Sequence, residues 1–332
     1  KSWDYPPAVA ARFQPIAAKQ GIIFTVQKNQ DGTNIVIALD SSNGVERWRY
    51  SLGNISSASA PALSGEQLSI STMFTSSGTN PTVILNAGTG QFVRNVVSAA
   101  QWSDFAPPTP FENSIYIASG YYGNVVYAFD MVAGSSQWES YGSRGNTWDG
   151  QAPAVDERYL YYYSGNLDVF DRASGALVKS ITDPFWRWNG YSYGGTPMIG
   201  SVNNVIAYSG NGMGTYSVSF PLVNYDINAG TYRWRTASGY NVTPAVAKGV
   251  VYAASNEVSE LHAIDENTGQ VLWRWPLPAG QQFTGNIVVT DTLLFLSSTT
   301  AIYAIDMEGA HQTKWTMPTP GLMAISPDAQ LI

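Results

Sequence analysis

Residues 263–275, AIDENTGQVLWRW, decide the fold of this chain. Asp265 is followed by Gly269 and then by Trp273, with apolar residues alternating on either side. The carboxylate of such an Asp accepts backbone N–H groups, and glycine supplies the positive φ that a tight turn requires. The stretch therefore predicts two β-strands joined by a turn, with a large aromatic side chain on the second strand.

Variants of this stretch occur seven times along the 332 residues. They centre on Asp40, Asn86, Asp130, Asp171, Asp226, Asp265 and Asp306, which are 39 to 55 residues apart. The aromatic position holds Trp48, Trp138, Trp234, Trp273 and a shifted Trp315, whereas Arg94 and Lys179 replace Trp in two copies. A repeat of this length indicates an array of equal structural units.

Each unit contains four short apolar segments with the alternation and β-branched enrichment of strands. Signals for a first strand number eight, near Phe13, Ser59, Ala106, Gln151, Gly195, Val242, Phe283 and Gly321. We therefore predict an all-β, eight-bladed β-propeller of four-stranded antiparallel blades, formed by residues 1–332 as a single domain. N- and C-terminal strands, with Trp3 on the outermost one, are expected to close the last blade. The repeated Asp, Gly and Trp residues are interpreted as structural.

Composition limits the function classes. The net charge of −7 with 12% charged residues argues against nucleic acid or an anionic membrane as partner. The chain has no cysteine, which excludes thiolate metal sites, and no apolar run long enough for a transmembrane segment. It begins at Lys1 without Met or a signal-like segment, so we expect a processed or trimmed form.

Two carboxylates are candidates for catalysis. Asp104 and Asp149 precede the first strands of adjacent blades at equivalent positions, so both are expected at one mouth of the propeller. Such a pair could share a proton or bind a cation. The alternative is that each carboxylate caps its own turn.

An aromatic rim is expected beside these carboxylates. Aromatic side chains with an Arg and an Asn suit a planar ligand or a peptide, but the same loop could instead plug the channel. The predicted rim consists of Trp102, Arg144, Trp148, Trp186, Arg187, Trp188, Asn189, Tyr191, Tyr193 and Tyr240. The two histidines, His262 and His311, have no second His or spaced acid that would complete a zinc site or a catalytic triad.

The pattern Ala-x-Asp-x-x-Thr-Gly-x-x-x-Trp resembles the repeat of the pyrroloquinoline-quinone (PQQ) propeller superfamily over essentially the whole chain. Ala263, Asp265, Thr268, Gly269 and Trp273 match each motif position. The chain looks most like the BamB-type barrel-assembly propeller lipoproteins, which implies an exported docking scaffold, periplasmic or extracellular, attached to the outer membrane. Their lipid-bearing N-terminal Cys is not in this sequence, which leaves anchoring open.

Two other branches of the superfamily imply enzymes. Quinoprotein alcohol dehydrogenases bind PQQ with Ca²⁺, but their vicinal Cys pair is missing from this sequence. Tetrathionate hydrolases share the propeller without using PQQ. We therefore predict a non-catalytic exported scaffold that binds a protein or peptide partner in the cell envelope without a cofactor. A PQQ- and Ca²⁺-dependent dehydrogenase or a cofactor-free hydrolase is the alternative.

Overall fold

The computed structural model of the protein describes residues 3–73, 79–99, 107–119, 125–143, 152–186, 196–201, 203–209, 219–325 and 331. The regular elements of this part of the chain are thirty strands. No helix long and apolar enough to cross a membrane occurs among these residues. The chain divides into two compact units, each described by itself.

The first unit comprises Lys1–Leu160, Phe170–Leu177 and Ala324–Ile332 and contains the first three sheets. The first sheet has strands β1 (Ala11–Phe13), β2 (Ala17–Lys19), β3 (Ile22–Asn29), β4 (Thr33–Asp40) and β5 (Glu46–Asn54). The second has β6 (Ser57–Ala58), β7 (Ala62–Ser64), β8 (Gln67–Met73), β9 (Thr79–Asn86) and β10 (Phe92–Ala99). The third has β11 (Thr109–Phe111), β12 (Ser114–Ser119), β13 (Val125–Asp130) and β14 (Ser136–Tyr141).

The fourth sheet is divided between the two units. Its strands are β15 (Ala154–Val155), β16 (Tyr159–Tyr163), β17 (Asn166–Asp171) and β18 (Leu177–Thr182).

The second unit comprises Tyr161–Val169 and Val178–Met323 and contains the last three sheets. The fifth sheet has β19 (Met198–Ile199), β20 (Asn204–Tyr208), β21 (Leu222–Asp226) and β22 (Thr231–Arg235). The sixth has β23 (Ala245–Ala247), β24 (Val250–Ser255), β25 (Glu260–Asp265) and β26 (Val271–Pro276). The seventh has β27 (Phe283–Val289), β28 (Leu293–Ser298), β29 (Ile302–Asp306) and β30 (Thr313–Met317).

Strands follow one another across each sheet in chain order, with antiparallel pairing such as that of β24 with β25. The first two sheets have five strands because their first strand is split into two short pieces, both paired with the same neighbour. The all-β class and the four-stranded antiparallel blades are therefore confirmed.

The inner strands are buried on both faces, which explains why their sequences are continuous apolar runs rather than alternating ones. In the first unit, Phe24, Leu68 and Leu85 pack in one fully buried cluster. In the second unit, a corresponding cluster contains Leu261 and Leu294. Burial declines at the fourth strands β5 and β26, where exposed positions alternate with partly buried or buried ones.

The prediction of eight blades is wrong, because the described residues form seven sheets. Near Gly321, the eighth first-strand signal forms no strand; instead Met323 and Asn286 exchange two hydrogen bonds of 2.8 and 2.9 Å, which attach this segment to β27. Residues 3–10 form no strand either. In its described residues, neither segment contains the paired third and fourth strands around an Asp turn that an eighth blade would need.

Candidate functional site

The predicted carboxylate pair and most of the predicted rim lie outside the described residues. They are Trp102, Asp104, Arg144, Trp148, Asp149, Arg187, Trp188, Asn189, Tyr191 and Tyr193. Their roles stay predictions. Of the rim, the structure describes Trp186 and Tyr240, and it places both inside the second unit.

Trp186 packs inside the protein rather than on an open surface. Its indole lies against Gly165, where an added Cβ would come within 2.6 Å of the ring. The preceding turn is held by Asp183, whose Oδ1 accepts the Phe185 backbone N–H at 2.8 Å. Burial of a Trp against a glycine backbone indicates a packing role.

Asp183 is buried, and its second oxygen is fully engaged. Oδ2 accepts the hydroxyls of Tyr163 and Ser209, each at 2.7 Å. Burial raises the pKa of the neighbouring Tyr225 well above its ordinary value, and the charge of Asp183 raises it further. These donors stabilise the carboxylate within the core.

Tyr240 begins a chain of polar side chains that leads from the interior to the surface. Its hydroxyl lies 2.9 Å from Nδ1 of His262, and Nε2 of His262 lies 2.9 Å from Oε2 of Glu260. Arg274 completes the chain with an Nε–Oε2 distance of 3.4 Å to Glu260. Burial raises the pKa of Tyr240 to about 12, so its hydroxyl keeps the proton at neutral pH.

Sequence reasoning missed the acid of this chain. Glu260 precedes His262 by two residues on β25. Because side chains two residues apart lie on the same face of a strand, the strand period could have predicted that Glu260 and His262 are neighbours. The chain resembles a triad in its connections, but the Tyr240 hydroxyl is buried and reaches no solvent. We interpret it as a connection between the segment before β23 and the third strand of the sixth sheet.

The acidic residues of the repeat all lie in the turn between a third and a fourth strand. In the sixth sheet, Oδ1 of Asp265 accepts the backbone N–H of Thr268 at 2.8 Å and its hydroxyl at 2.8 Å, and the Asp265 carbonyl accepts the N–H of Gly269 at 2.9 Å. Gly269 has a φ of +72°. Asp40, Asn86, Asp130, Asp171, Asp226 and Asp306 likewise accept backbone N–H groups through Oδ1.

The repeated Trp residues connect each turn to the preceding sheet. Trp234 lies on Gly269, where a Cβ would come within 2.7 Å of the ring, and its indole N–H donates to the carbonyl of Glu266 at 2.8 Å. Trp48 and Trp138 make the same contact, and so does Trp3, although residues around it form no strand. Hence each indole binds the residue immediately after the turn Asp.

The two side chains that replace Trp in the repeat also lie over the glycine of the next turn. Lys179 lies over Gly230, and its Nζ donates to the carbonyls of Ile227 and Asn228 at 2.7 and 3.1 Å. Arg94 lies over Gly134, with Cδ 3.0 Å from the position of an added Cβ. A long basic side chain can cover the glycine with its stem while its nitrogen reaches a carbonyl, as the indole does.

The last two Trp residues differ from this pattern. Trp273 stacks on His311, with ring centroids 4.2 Å apart and an angle of 12° between the rings. Trp315 is 41% exposed.

An open edge also marks the second sheet. β10 is its last strand, and among the described residues only β9 pairs with it. Phe92 and Val97 on this strand are 50% and 53% exposed, and the Phe92 ring stacks on Tyr50 at 6.4 Å. Unpaired backbone groups beside exposed apolar side chains form a surface that another extended chain can join.

Comparison with known proteins supports one family. The family model described as outer membrane protein assembly factor BamB matches residues 3–275. No curated protein matches the chain.

Three solved structures share the fold. BamB from Moraxella catarrhalis aligns with a TM-score of 0.64 and 17% identity, over 94% of this chain and 88% of the other. A europium-containing methanol dehydrogenase aligns with a TM-score of 0.60 and 15% identity, over 92% and 77% of the two chains. The dihydro-heme d1 dehydrogenase NirN aligns with a TM-score of 0.68 and 13% identity, over 95% and 68%.

These identities show the fold alone, and the named proteins include both an assembly factor and dehydrogenases. The family model extends over most of the chain, including six of the seven Asp turns. The protein belongs to the family of PQQ-repeat propellers described as outer membrane protein assembly factor BamB.

Proposed function

We propose that this protein is a non-catalytic scaffold that binds protein partners in the cell envelope, in the periplasm or at the outer membrane. Family membership supports the class of function and the compartment. The observation that carries the proposal is the open, apolar edge of β10, which suits the addition of an extended strand from a partner.

The edge of β10 differs from that of β5 in its lack of protection. β5, the outermost strand of the first sheet, has Arg47 and Arg49 in ion pairs with Asp40 and Glu46, and charges of this kind discourage strand addition. The sequence of β10, FVRNVVSA, contains one charged residue, Arg94, and that side chain lies over Gly134 of the third sheet. An incoming strand therefore meets apolar side chains and free backbone groups.

Strand addition can be tested with synthetic peptides of alternating apolar and polar residues. On binding, we expect the outward amides of β10 to become protected from hydrogen exchange, as measured by NMR on the full chain. Val97→Lys should weaken binding at least about tenfold, because a charge at this position opposes an apolar partner. The matched control is Val178→Lys, an exposed valine on the outermost strand of the fourth sheet. Equal loss in both variants, or protection on another strand, would refute the β10 assignment.

The enzyme alternatives can be tested separately. Among the described residues no group of three acidic or histidine side chains could hold a metal ion, so the fit of Ca²⁺ depends on Asp104 and Asp149, outside those residues. Purified protein should be titrated with PQQ and Ca²⁺ by quinone absorbance. The scaffold proposal expects no saturable binding at millimolar Ca²⁺. Saturable binding that is lost in the Asp104→Asn, Asp149→Asn double variant would support a quinoprotein instead.

A cofactor-free hydrolase is the second enzyme alternative. Turnover of tetrathionate that disappears in the same double variant would contradict the scaffold proposal. Turnover that the double variant retains would point to a contaminating activity or to a different site.

A further inference from the structure

Asn224 departs from the repeat at an interior position of the fifth sheet. In four other sheets the Trp of the fourth strand pairs with an alanine of the third strand, whereas Trp234 pairs with Asn224. The alanine pairs are Ala38–Trp48, Ala128–Trp138, Ala263–Trp273 and Ala304–Trp315. Asn224 is fully buried, so a polar side chain stands where the repeat has a small apolar one.

Glu266 departs from the repeat in the neighbouring sixth sheet. It follows the turn residue Asp265, and it is 0% exposed. The residues after the turn in the second, third and fifth sheets are apolar and buried, namely Ala87, Met131 and Ile227. The two departures meet, because Nδ2 of Asn224 donates to the Glu266 carbonyl at 2.6 Å. A carboxylate in the interior is costly unless its charge is compensated.

One carboxylate oxygen of Glu266 has three donors, and all of them are neutral. Oε1 accepts the backbone N–H of Ser201 at 2.5 Å, the Ser201 hydroxyl at 2.8 Å and an amide N–H of Asn204 at 3.0 Å. Gly200 allows this close approach, since an added Cβ there would come within 2.1 Å of Oε1. The loop before β20 is therefore shaped around the Glu266 carboxylate.

The other carboxylate oxygen belongs to a group of three buried acceptors. Among the residues that the structure describes, no donor reaches Oε2 of Glu266, Oδ1 of Asn204 or Oδ1 of Asn224. The Asn side chains are 2% and 0% exposed. Their amide nitrogens both donate to Glu266, one to its carboxylate and one to its carbonyl, so neither amide can turn over without losing these bonds. The three acceptors therefore surround one residue.

We propose that Oε2 of Glu266 and the Oδ1 atoms of Asn204 and Asn224 bind a hard metal cation. Carboxylate and amide oxygens are ligands that Ca²⁺ takes in proteins, with water completing its coordination. The cation gives each of the three acceptors a partner and neutralises the buried carboxylate. Because only one ligand is charged, we expect a calcium Kd of about 0.1–1 mM, the weak end of the range for proteins.

A water molecule or a proton serves this set of acceptors less well. One water molecule has two O–H donors, so it leaves one acceptor unpaired and the charge of Glu266 uncompensated. A proton on Oε2 supplies one donor and leaves one of the two amide oxygens unpaired. A cation satisfies all three oxygens at once.

Urea unfolding of the full chain tests the site. The chain is refolded after chelation, with and without Ca²⁺, because buried ligands admit an ion only during folding or local opening. An ion that binds the folded state alone stabilises it increasingly above its Kd, so the urea midpoint should rise saturably with Ca²⁺. Mg²⁺, Na⁺ and K⁺ are compared in the same way. A saturable rise with any one of the four supports the site and identifies its cation.

Glu266→Gln is the decisive variant. Its amide keeps an oxygen for the donors at Oε1 and places an NH₂ group in the position of Oε2, where it donates to the two Asn oxygens. In chelator this variant should unfold at the same urea concentration as the unchanged protein or a higher one, and Ca²⁺ should no longer raise its midpoint. The matched control is Glu308→Gln, at an exposed turn position of the seventh sheet, which should keep the full calcium response.

Asn224→Ala restores the alanine of the repeat and removes one ligand. It should weaken the apparent calcium affinity at least about tenfold.

Terbium luminescence provides a measurement that does not depend on stability. Tb³⁺ replaces Ca²⁺ at oxygen sites and emits when a neighbouring Trp is excited. The Trp234 indole donates to the Glu266 carbonyl at 2.8 Å, so it lies beside the proposed site. We expect Trp-sensitised emission that Ca²⁺ displaces and that Glu266→Gln abolishes.

The inference goes beyond the scaffold function and does not rest on it, since β10 contributes none of the three ligands. No saturable effect of any of the four cations would overturn it, as would an equal effect in Glu266→Gln. A calcium effect that disappears only in the Asp104→Asn, Asp149→Asn double variant would assign the ion to those carboxylates and would also overturn it.

Discussion

Trp234 and Trp315 are the same residue type at the same register position, but they face different surroundings. Trp234 is buried on the Gly269 turn and donates to the Glu266 carbonyl, whereas Trp315 is 41% exposed and none of the described glycines lies on its ring. The repeat motif therefore specifies a contact surface rather than a role. Whether that surface stabilises the fold or remains free for binding depends on the presence of a following turn.

The largest expected effect on stability comes from removing the indole of Trp234, compared with removing that of Trp315. Trp234→Ala should lower the free energy of unfolding by about 3–5 kcal/mol, because a buried aromatic side chain and its hydrogen bond are lost. Trp315→Ala should cost less than about 1 kcal/mol, as expected for a partly exposed side chain. Urea unfolding followed by circular dichroism measures both. Similar losses in the two variants would contradict the distinction.

The next test adds a methyl group to a turn glycine. In Gly269→Ala the new Cβ meets the Trp234 ring and the residue keeps a φ of +72°, so we expect a loss of about 2–4 kcal/mol. Gly309 is the matched control, since its φ is +67° but no atom lies within 4 Å of an added Cβ. Gly309→Ala should therefore cost only the backbone strain, about 1 kcal/mol. The urea midpoints of the two variants separate the free-energy cost of the steric contact with Trp234 from the cost of the backbone strain.

A third test concerns the copy in which Lys179 replaces Trp. Lys179→Met keeps the apolar stem over Gly230 but removes the bonds to the Ile227 and Asn228 carbonyls, so we expect a loss of about 1 kcal/mol. Val178→Met, at an exposed position of the same strand, should change stability by less than about 0.5 kcal/mol. If Lys179→Met is equally neutral, the hydrogen bonds of Lys179 to the two carbonyls do not stabilise the protein.

The smallest effect is on the pH dependence of stability. Hydrogen bonds from the Thr268 side chain and backbone hold the pKa of Asp265 below its ordinary value. Because the folded-state pKa is the lower one, the turn contributes stability above about pH 4 that is lost as pH falls through the folded-state pKa. In Asp265→Asn the oxygen acceptor remains but the titration disappears, so the acid-induced fall of the thermal midpoint should become shallower.

Asn86 provides the control for this pH test. It already forms the turn without a charge, accepting the Thr89 N–H at 2.9 Å. Asn86→Asp should make the acid-induced fall steeper. The thermal midpoints of the unchanged protein, Asp265→Asn and Asn86→Asp are measured from pH 7 to pH 2. If the midpoint falls with pH equally steeply in all three, the turn carboxylates do not control acid stability.

The sequence was sufficient to predict the strands and turns, because Asp265 and Gly269 act within one hairpin. It was insufficient for the number of blades, since first-strand signals such as the one near Gly321 do not show whether third and fourth strands follow. Met323 bonds to Asn286 of the seventh sheet instead, a long-range contact that no local pattern encodes.

Contacts between sheets were hard to predict for a related reason. Arg94 and Lys179 look like departures from the motif, yet in the structure they lie over the next glycine as Trp does. The Glu260–His262 pair was overlooked because the acid precedes the histidine inside a motif already interpreted as structural. Of the predicted functional residues, the carboxylates Asp104 and Asp149 lie outside the described residues and stay a hypothesis.

The hydrogen bonds that connect each turn to the preceding segment are accepted by backbone carbonyls, and this has a consequence for how the sequence can evolve. The residues that supply the carbonyl are Ser41, Ala87, Arg172, Ile227 and Glu266. Since the bond uses a main-chain atom, it does not itself depend on the type of side chain at this position. Glu266, for example, accepts the Ser201 hydroxyl at 2.8 Å in addition to its backbone role. Such a protein can diverge in sequence, or acquire new polar contacts, at these positions while it keeps the hydrogen bonds between its blades.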